Sequence, residues 1–187
     1  RRFNKYPAVI ALCHTEAGVI KAVKAAAQKK MPVAIKSGGH SLEGYSVNDG
    51  GMVINMSRFN TIEFLEEGKV KLGPACTNAQ LYDALLQKGV MIPGGSCGSV
   101  AVGGLATGGG YGMYARKLGL TCDSLLSVKM VDGTGKLITA EGNDDFMKAI
   151  RGGGSGNFGV ITEMVFKTHT APQTLTAHRF RKFKCTP

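Results

Sequence analysis

Hydrophobic positions along the chain switch between a helical and a strand period. Val19, Ile20, Val23, Ala26 and Ala27 form one stripe at helical spacing, and Thr15 ahead of them can cap a helix running to about Lys30. Pro32 breaks that pattern, and Val33-Ala34-Ile35 reads as a short buried strand that enters Ser37-Gly38-Gly39-His40-Ser41. Met52 to Met56 and Val70 to Leu72 are two further strands. Thr77-Asn78-Ala79-Gln80 is a capping box, followed by Leu81, Ala84 and Leu85 at helical spacing and by Gly89 as a stop. Leu125 to Val131 and Leu137 to Thr139 flank Asp132-Gly133-Thr134-Gly135, a hairpin signal. Asn143 caps a short helix with Asp144 and Asp145 in its first turn and Lys148 and Arg151 at its end, which suits the helix dipole. Gly159 to Phe166 alternates as a strand, and from Thr168 the pattern dissolves into polar and basic residues. Helices and strands in this irregular order predict an α+β protein, not the strict βαβ alternation of a Rossmann sheet.

Composition changes this picture at glycine. The chain has 27 glycines in 187 residues, about twice the usual share. They gather in three places: Ser37 to Ser41, Gly94 to Gly112, and Gly152 to Gly159; Pro93 to Gly112 alone holds nine in twenty residues. Glycine lets another molecule approach the main chain closely, and successive N–H groups make a nest for an anion such as a pyrophosphate. Three such clusters converging on one ligand would enclose something long, such as a dinucleotide.

Charge adds a partner class. Twenty-three Lys and Arg against 13 Asp and Glu leave a formal charge of +10, concentrated in Lys21 to Lys30 and Arg179 to Lys184. Such a surplus attracts polyanions and equally serves solubility. Aromatic residues are only 7% with no Trp, so stacking platforms for single strands are not expected and no nucleic-acid partner is predicted. No apolar run reaches the roughly 18 residues of a membrane span. Cys13, Cys76, Cys97, Cys122 and Cys185 form no C-x-x-C, and the four histidines form no H-x₃₋₅-H pair, so no metal site is predicted. Redox compartment and cellular location stay open. There is no G-x-x-x-x-G-K-[ST], and Gly110-Tyr111-Gly112 lacks the third glycine of a Rossmann fingerprint, with Ala115 in its place. The nucleotide site these residues predict is therefore neither a P-loop nor a Rossmann turn.

Pro32 to Ser41 and Pro93 to Gly104 resemble the flavin-binding domain of the vanillyl-alcohol-oxidase superfamily, in its branch of berberine-bridge-enzyme-like FAD-linked oxidases. Gly108 to Gly112, Arg116, Gly119-Leu120, Asp123, Asp132-Gly133 and Arg151 to Val160 continue the similarity in order, over roughly residues 7–168. It implies an α+β, PCMH-type FAD-binding domain whose two α/β subdomains enclose the dinucleotide. Residues 1–168 would form it, with the subdomains parting near 57–69, and 169–187 would begin a substrate domain or form a tail.

The resemblance also assigns residues. His40, in the Gly-Gly-His-Ser turn, would be tethered to the 8α-methyl of FAD, and Cys97 to flavin C6. Ser37, Gly38, Gly39 and Ser41 would donate to the pyrophosphate. Ser99, Val100, Gly103 and Gly104 would run beside the isoalloxazine and ribityl chain, and Gly109, Gly112, Asn157, Gly159 and Val160 would line the flavin and adenine ends. Val100 stands where the family places an oxygen gatekeeper, and its small size implies access for O₂. The implied reaction is hydride transfer from an alcohol or sugar-type substrate to flavin N5, with O₂ as acceptor. The family's substrate domain usually brings the base, so no catalytic residue is assigned, and Tyr111 and Tyr114 read as packing or turn residues. The other two readings are a basic binding module without redox chemistry and a non-covalent flavin dehydrogenase or reductase of the same fold.

Overall fold

The computed structural model describes residues 3–174 and 176. Its first sheet is small and wholly parallel. Strands β1 (Val9–Leu12), β2 (Val33–Lys36) and β3 (Met52–Asn55) lie in the order β1-β3-β2, so β3, last in sequence, is central. Helix α1 (Glu16–Gln28) joins β1 to β2. The Thr15 side chain accepts from the Gly18 N–H as the expected cap. Of the expected stripe, Val19, Val23 and Ala26 are buried together with Ala22, whereas Ala27 is exposed. This face packs on Met52 and Ile54.

A five-stranded antiparallel sheet carries the larger core. Its strands are β4 (Ile62–Leu65), β5 (Lys69–Leu72), β7 (Leu125–Val131), β8 (Leu137–Glu141) and β9 (Val160–Lys167), in the order β4-β5-β9-β7-β8. β7 and β8 form the expected hairpin. Asp132 Oδ1 organises its turn by accepting from the N–H groups of Thr134 and Lys136, each at 2.9 Å. The alternation of β9 is obeyed residue by residue: Val160, Thr162, Met164 and Phe166 are buried between half-buried neighbours. A two-stranded ladder joins β6 (Val90–Met91) to β10 (His169–Thr170), so ordered pairing continues past Thr168. The basic stretch Arg179 to Lys184 and Cys185 lie outside the described residues.

Helix α2 (Asn78–Leu86) begins with the expected box: the Thr77 side chain accepts from the Gln80 N–H and the Gln80 side chain accepts from the Thr77 N–H. Thr77→Ala is expected to cost about 1 kcal/mol, read as a lower urea midpoint at an unchanged m-value. Helix α5 (Asp145–Ile150) corrects one expectation. Its cap is Asp144, which accepts from the Met147 N–H, whereas Asn143 accepts from Arg151 Nη1 at 3.1 Å. The carboxylate of Asp144 stands three residues before that N–H and reaches it; the amide of Asn143 is one position too early.

Helices α3 (Val102–Thr107) and α4 (Ala115–Leu118) and a 3₁₀ turn (Thr121–Ser124) follow, and α3 forms although two glycines in its six residues argue against helix. Tertiary contacts compensate in α3. Its opening N–H groups donate to Cys76 O (from Val102, 2.8 Å) and Pro74 O (from Gly103, 2.9 Å). A Cβ on Gly103 would meet Pro74 Cβ at 2.7 Å, so only glycine lets the two segments lie this close.

Candidate functional site

The turn of residues 37–41 follows β2 directly, which makes its position a consequence of strand pairing. The Met56 N–H donates to Lys36 O at 2.8 Å and ends the ladder there. Gly39 (φ +73°) then reverses the chain in the left-handed region. Among the described residues, the backbone N–H groups of Gly38, Gly39, His40 and Ser41 donate to no protein acceptor.

The loop of residues 97–100 is fixed by the first turn of α2. The N–H groups of Asn78 and Ala79 donate to Val100 O and Gly98 O, both at 2.9 Å. The side chain of Asn78, 1% exposed, donates from Nδ2 to Cys97 O at 3.0 Å. These are orphan donors of a helix start, here consumed by the loop. Asn78 was not singled out from the sequence. Its signal was available, because a buried Asn just after a cap must find an acceptor.

The two loops meet. A Cβ on Gly38 would stand 2.8 Å from Ala101 N and 3.3 Å from Ser99 O, so the first cluster lies directly on the second. At the junction Ser99 Oγ is 3.0 Å from His40 Nε2 and 3.5 Å from Cys97 Sγ. Two residues 57 positions apart are thus joined by one hydroxyl. The Ser99 side chain, with the Ser99 and Val100 N–H groups, holds the Cys97 thiol below its usual range. The other described cysteines differ. Burial pushes Cys76 up to about 11 and also raises Cys13 and Cys122, so these are inert packing thiols. Cys97 alone among the described cysteines is exposed.

The third cluster docks on α3. Ser155 Oγ donates to Gly104 O at 2.7 Å, Thr107 Oγ1 donates to Ser155 Oγ at 3.2 Å, and the Gly154 N–H donates to Thr107 O at 3.0 Å. A Cβ on Gly156 would lie 4.0 Å from Ile35 Cδ1, which brings this cluster back toward β2. All three glycine clusters therefore lie together. His40 and Cys97 meet at the Ser99 hydroxyl and Gly38 packs on Ala101, whereas Gly104 and Gly109 belong to the second contact zone and Asn157 packs within the third cluster. Asn157 Nδ2 donates to Gly153 O at 3.1 Å. Four expected residues also have a packing reason. Gly103 abuts Pro74, Gly112 has no room for a Cβ against the Gly94 carbonyl, Gly159 abuts Met130, and Val160 pairs with Val131 in the core. Tyr111 is exposed and Tyr114 precedes α4 half-buried.

Beside the 37–41 turn an open hollow of about 420 Å³ is lined by Lys5, Lys36, Gly39, Ser41, Gly44 and Ser46. Two ammonium groups next to unengaged N–H donors suit a phosphate-bearing ligand. The donor set and the close glycine approach suit the pyrophosphate of a dinucleotide such as FAD.

Comparison with known proteins agrees with that chemistry. Residues 7–141 match the family described as FAD binding domain, and the chain belongs to this family. The chain is 38% identical over 175 residues to the uncharacterized FAD-linked oxidoreductase YvdP of Bacillus subtilis, covering 91% of this chain and 39% of that protein. It is 37% identical over 175 residues to the chitooligosaccharide oxidase of Gibberella zeae, covering 91% and 35%. The solved structure of BBE-like 1 from Physcomitrella patens superposes with a TM-score of 0.86 at 34% identity, over 90% of this chain and 38% of that one. The resemblance to berberine-bridge-enzyme-like oxidases and the α+β PCMH-type fold are thereby borne out. The chain spans less than two fifths of the length of the curated relatives it matches.

Proposed function

We propose that this chain forms the cofactor-holding part of an FAD-dependent oxidase acting on an alcohol or carbohydrate carbon, with FAD tethered through both His40 and Cys97. The observation that carries the reading is the Ser99 hydroxyl, which stands within hydrogen-bond distance of both tether candidates. A carbohydrate substrate is favoured by the likeness to a chitooligosaccharide oxidase. FAD held here would supply two-electron redox chemistry, with a substrate hydride as the source and O₂ as the acceptor.

The chain's own residues prepare that site. His40 engages Ser99 through Nε2, so Nδ1 is the ring nitrogen outside that contact. The N–H groups of residues 38–41, with Lys5 and Lys36, would hold the pyrophosphate charge. Asn78 fixes the sulfur-bearing loop through Cys97 O. Val100, half-buried beside Cys97, is small enough to leave O₂ a path. No base is assigned among these residues, and the chain spans 39% and 35% of the length of two relatives it matches.

The test is intact mass after denaturation. The wild-type chain is expected to carry the added mass of one FAD. His40→Ala and Cys97→Ala should each retain FAD through the remaining bond, and the double variant should release it. Flavin released entirely by denatured wild type overturns the tethering, and a chain that takes up no FAD overturns the whole reading.

A further inference from the structure

Ser99 touches a thiol on one side and an imidazole on the other, on loops that meet only in the folded chain. We infer that Ser99 is a positioning residue that keeps Cys97 as a thiolate by relaying the thiol proton to His40. The Cys97 Sγ proton passes to Ser99 Oγ, and the Ser99 hydroxyl proton passes to His40 Nε2. Serine is left unchanged between a thiolate and an imidazolium, and no electron moves. The separations of 3.5 Å to sulfur and 3.0 Å to nitrogen suit both transfers.

The surroundings support this role. The Ser99 and Val100 N–H groups also face the sulfur and favour its charged form. The loop cannot drift, because Asn78 and Ala79 grip Cys97 O, Gly98 O and Val100 O from the first turn of α2. Three other ionisable side chains stand on the elements packed here, Lys36, Tyr82 and the exposed Asp83. Lys36 lies against Gly39, with a favourable sign for a nearby thiolate, and the Tyr82 hydroxyl donates to Gly95 O. Among the described residues no carboxylate pairs with His40 or Cys97, so neither partner is held by a competing anion. The thiolate is the reactive form of cysteine. Under the reading in which Cys97 tethers FAD, on which this consequence rests, Ser99 sets the fraction of chains competent to form that tether.

The experiment is the pH dependence of Cys97 alkylation by iodoacetamide in the flavin-free 187-residue chain, followed by peptide mass. Ser99→Ala is expected to raise the midpoint by about one pH unit and slow alkylation near neutral pH roughly tenfold. His40→Ala should raise it as well, and the double variant no further than the larger single effect, because both act on one relay. Ser99→Thr keeps a hydroxyl and should restore the wild-type midpoint. An unchanged midpoint in Ser99→Ala overturns the inference, as does a Ser99→Thr chain that behaves like alanine. The denaturing mass of the FAD-loaded wild type reads the tether separately: a shifted midpoint with no FAD on Cys97 rejects the tether and leaves the relay standing.

Discussion

Phe166→Ala should cost about 3–5 kcal/mol of folding stability, the usual range for emptying a buried aromatic site. Phe166 is fully buried in β9 and faces Val70 of β5 on one side and Leu125 of β7 on the other. It therefore stands where three strands of the five-stranded sheet meet, inside the larger core. Strands on both sides limit how far the hole can collapse, and a cavity that cannot collapse is the expensive kind. Against a typical total of about 5–15 kcal/mol, the loss is roughly a fifth or more of the stability. Urea unfolding should show the midpoint falling at an unchanged m-value. Phe166→Leu, which refills most of the volume, should lose less.

Gly38→Ala should act on the site more than on the fold. Its new Cβ would press on Ala101 N at 2.8 Å and Ala101 Cβ at 3.0 Å, both part of a loop that α2 holds rigidly. Gly38, Gly39 and His40 are exposed, so this turn is the side that yields. The overpacking costs about 1–3 kcal/mol. The larger consequence falls on His40, two residues on, whose Nε2 would leave Ser99 Oγ. In a Cys97→Ala background, where His40 is the one proposed tether left, flavin fluorescence on a denaturing gel should develop roughly 100-fold more slowly, the scale of misplacing a reacting group by about 1 Å. Incorporation at the parental rate would show that the contact between the two loops does not position His40.

Legibility followed how local the physics was. Helix α1 could be read because a cap and an apolar stripe are both written within one turn of each other. β9 could be read because a sheet with one buried face demands strict alternation. β1 and β4 were missed. Val9–Leu12 is a uniform apolar run on an edge strand, and Ile62–Leu65 forms an outer hairpin with one half-buried and three exposed residues, so neither has a periodic signal. α3 was missed because two glycines in six residues argue against helix, and only the carbonyls of Pro74 and Cys76 make the conformation stable.

The excess of glycine, the candidacy of His40 and Cys97 and the family likeness were all determined by the sequence alone, since they are properties of residue type and order. Tertiary structure decided the rest. It put Ser99 between His40 and Cys97, turned Asn78 into the clamp on the sulfur-bearing loop, and gave Gly103, Gly112 and Gly159 packing reasons beside any ligand role. The physical reason is distance along the chain. Periodicity and capping act over a few residues, whereas a hydrogen bond spanning 59 positions exists only after the small parallel sheet has delivered its turn onto the first turn of α2 and its loop.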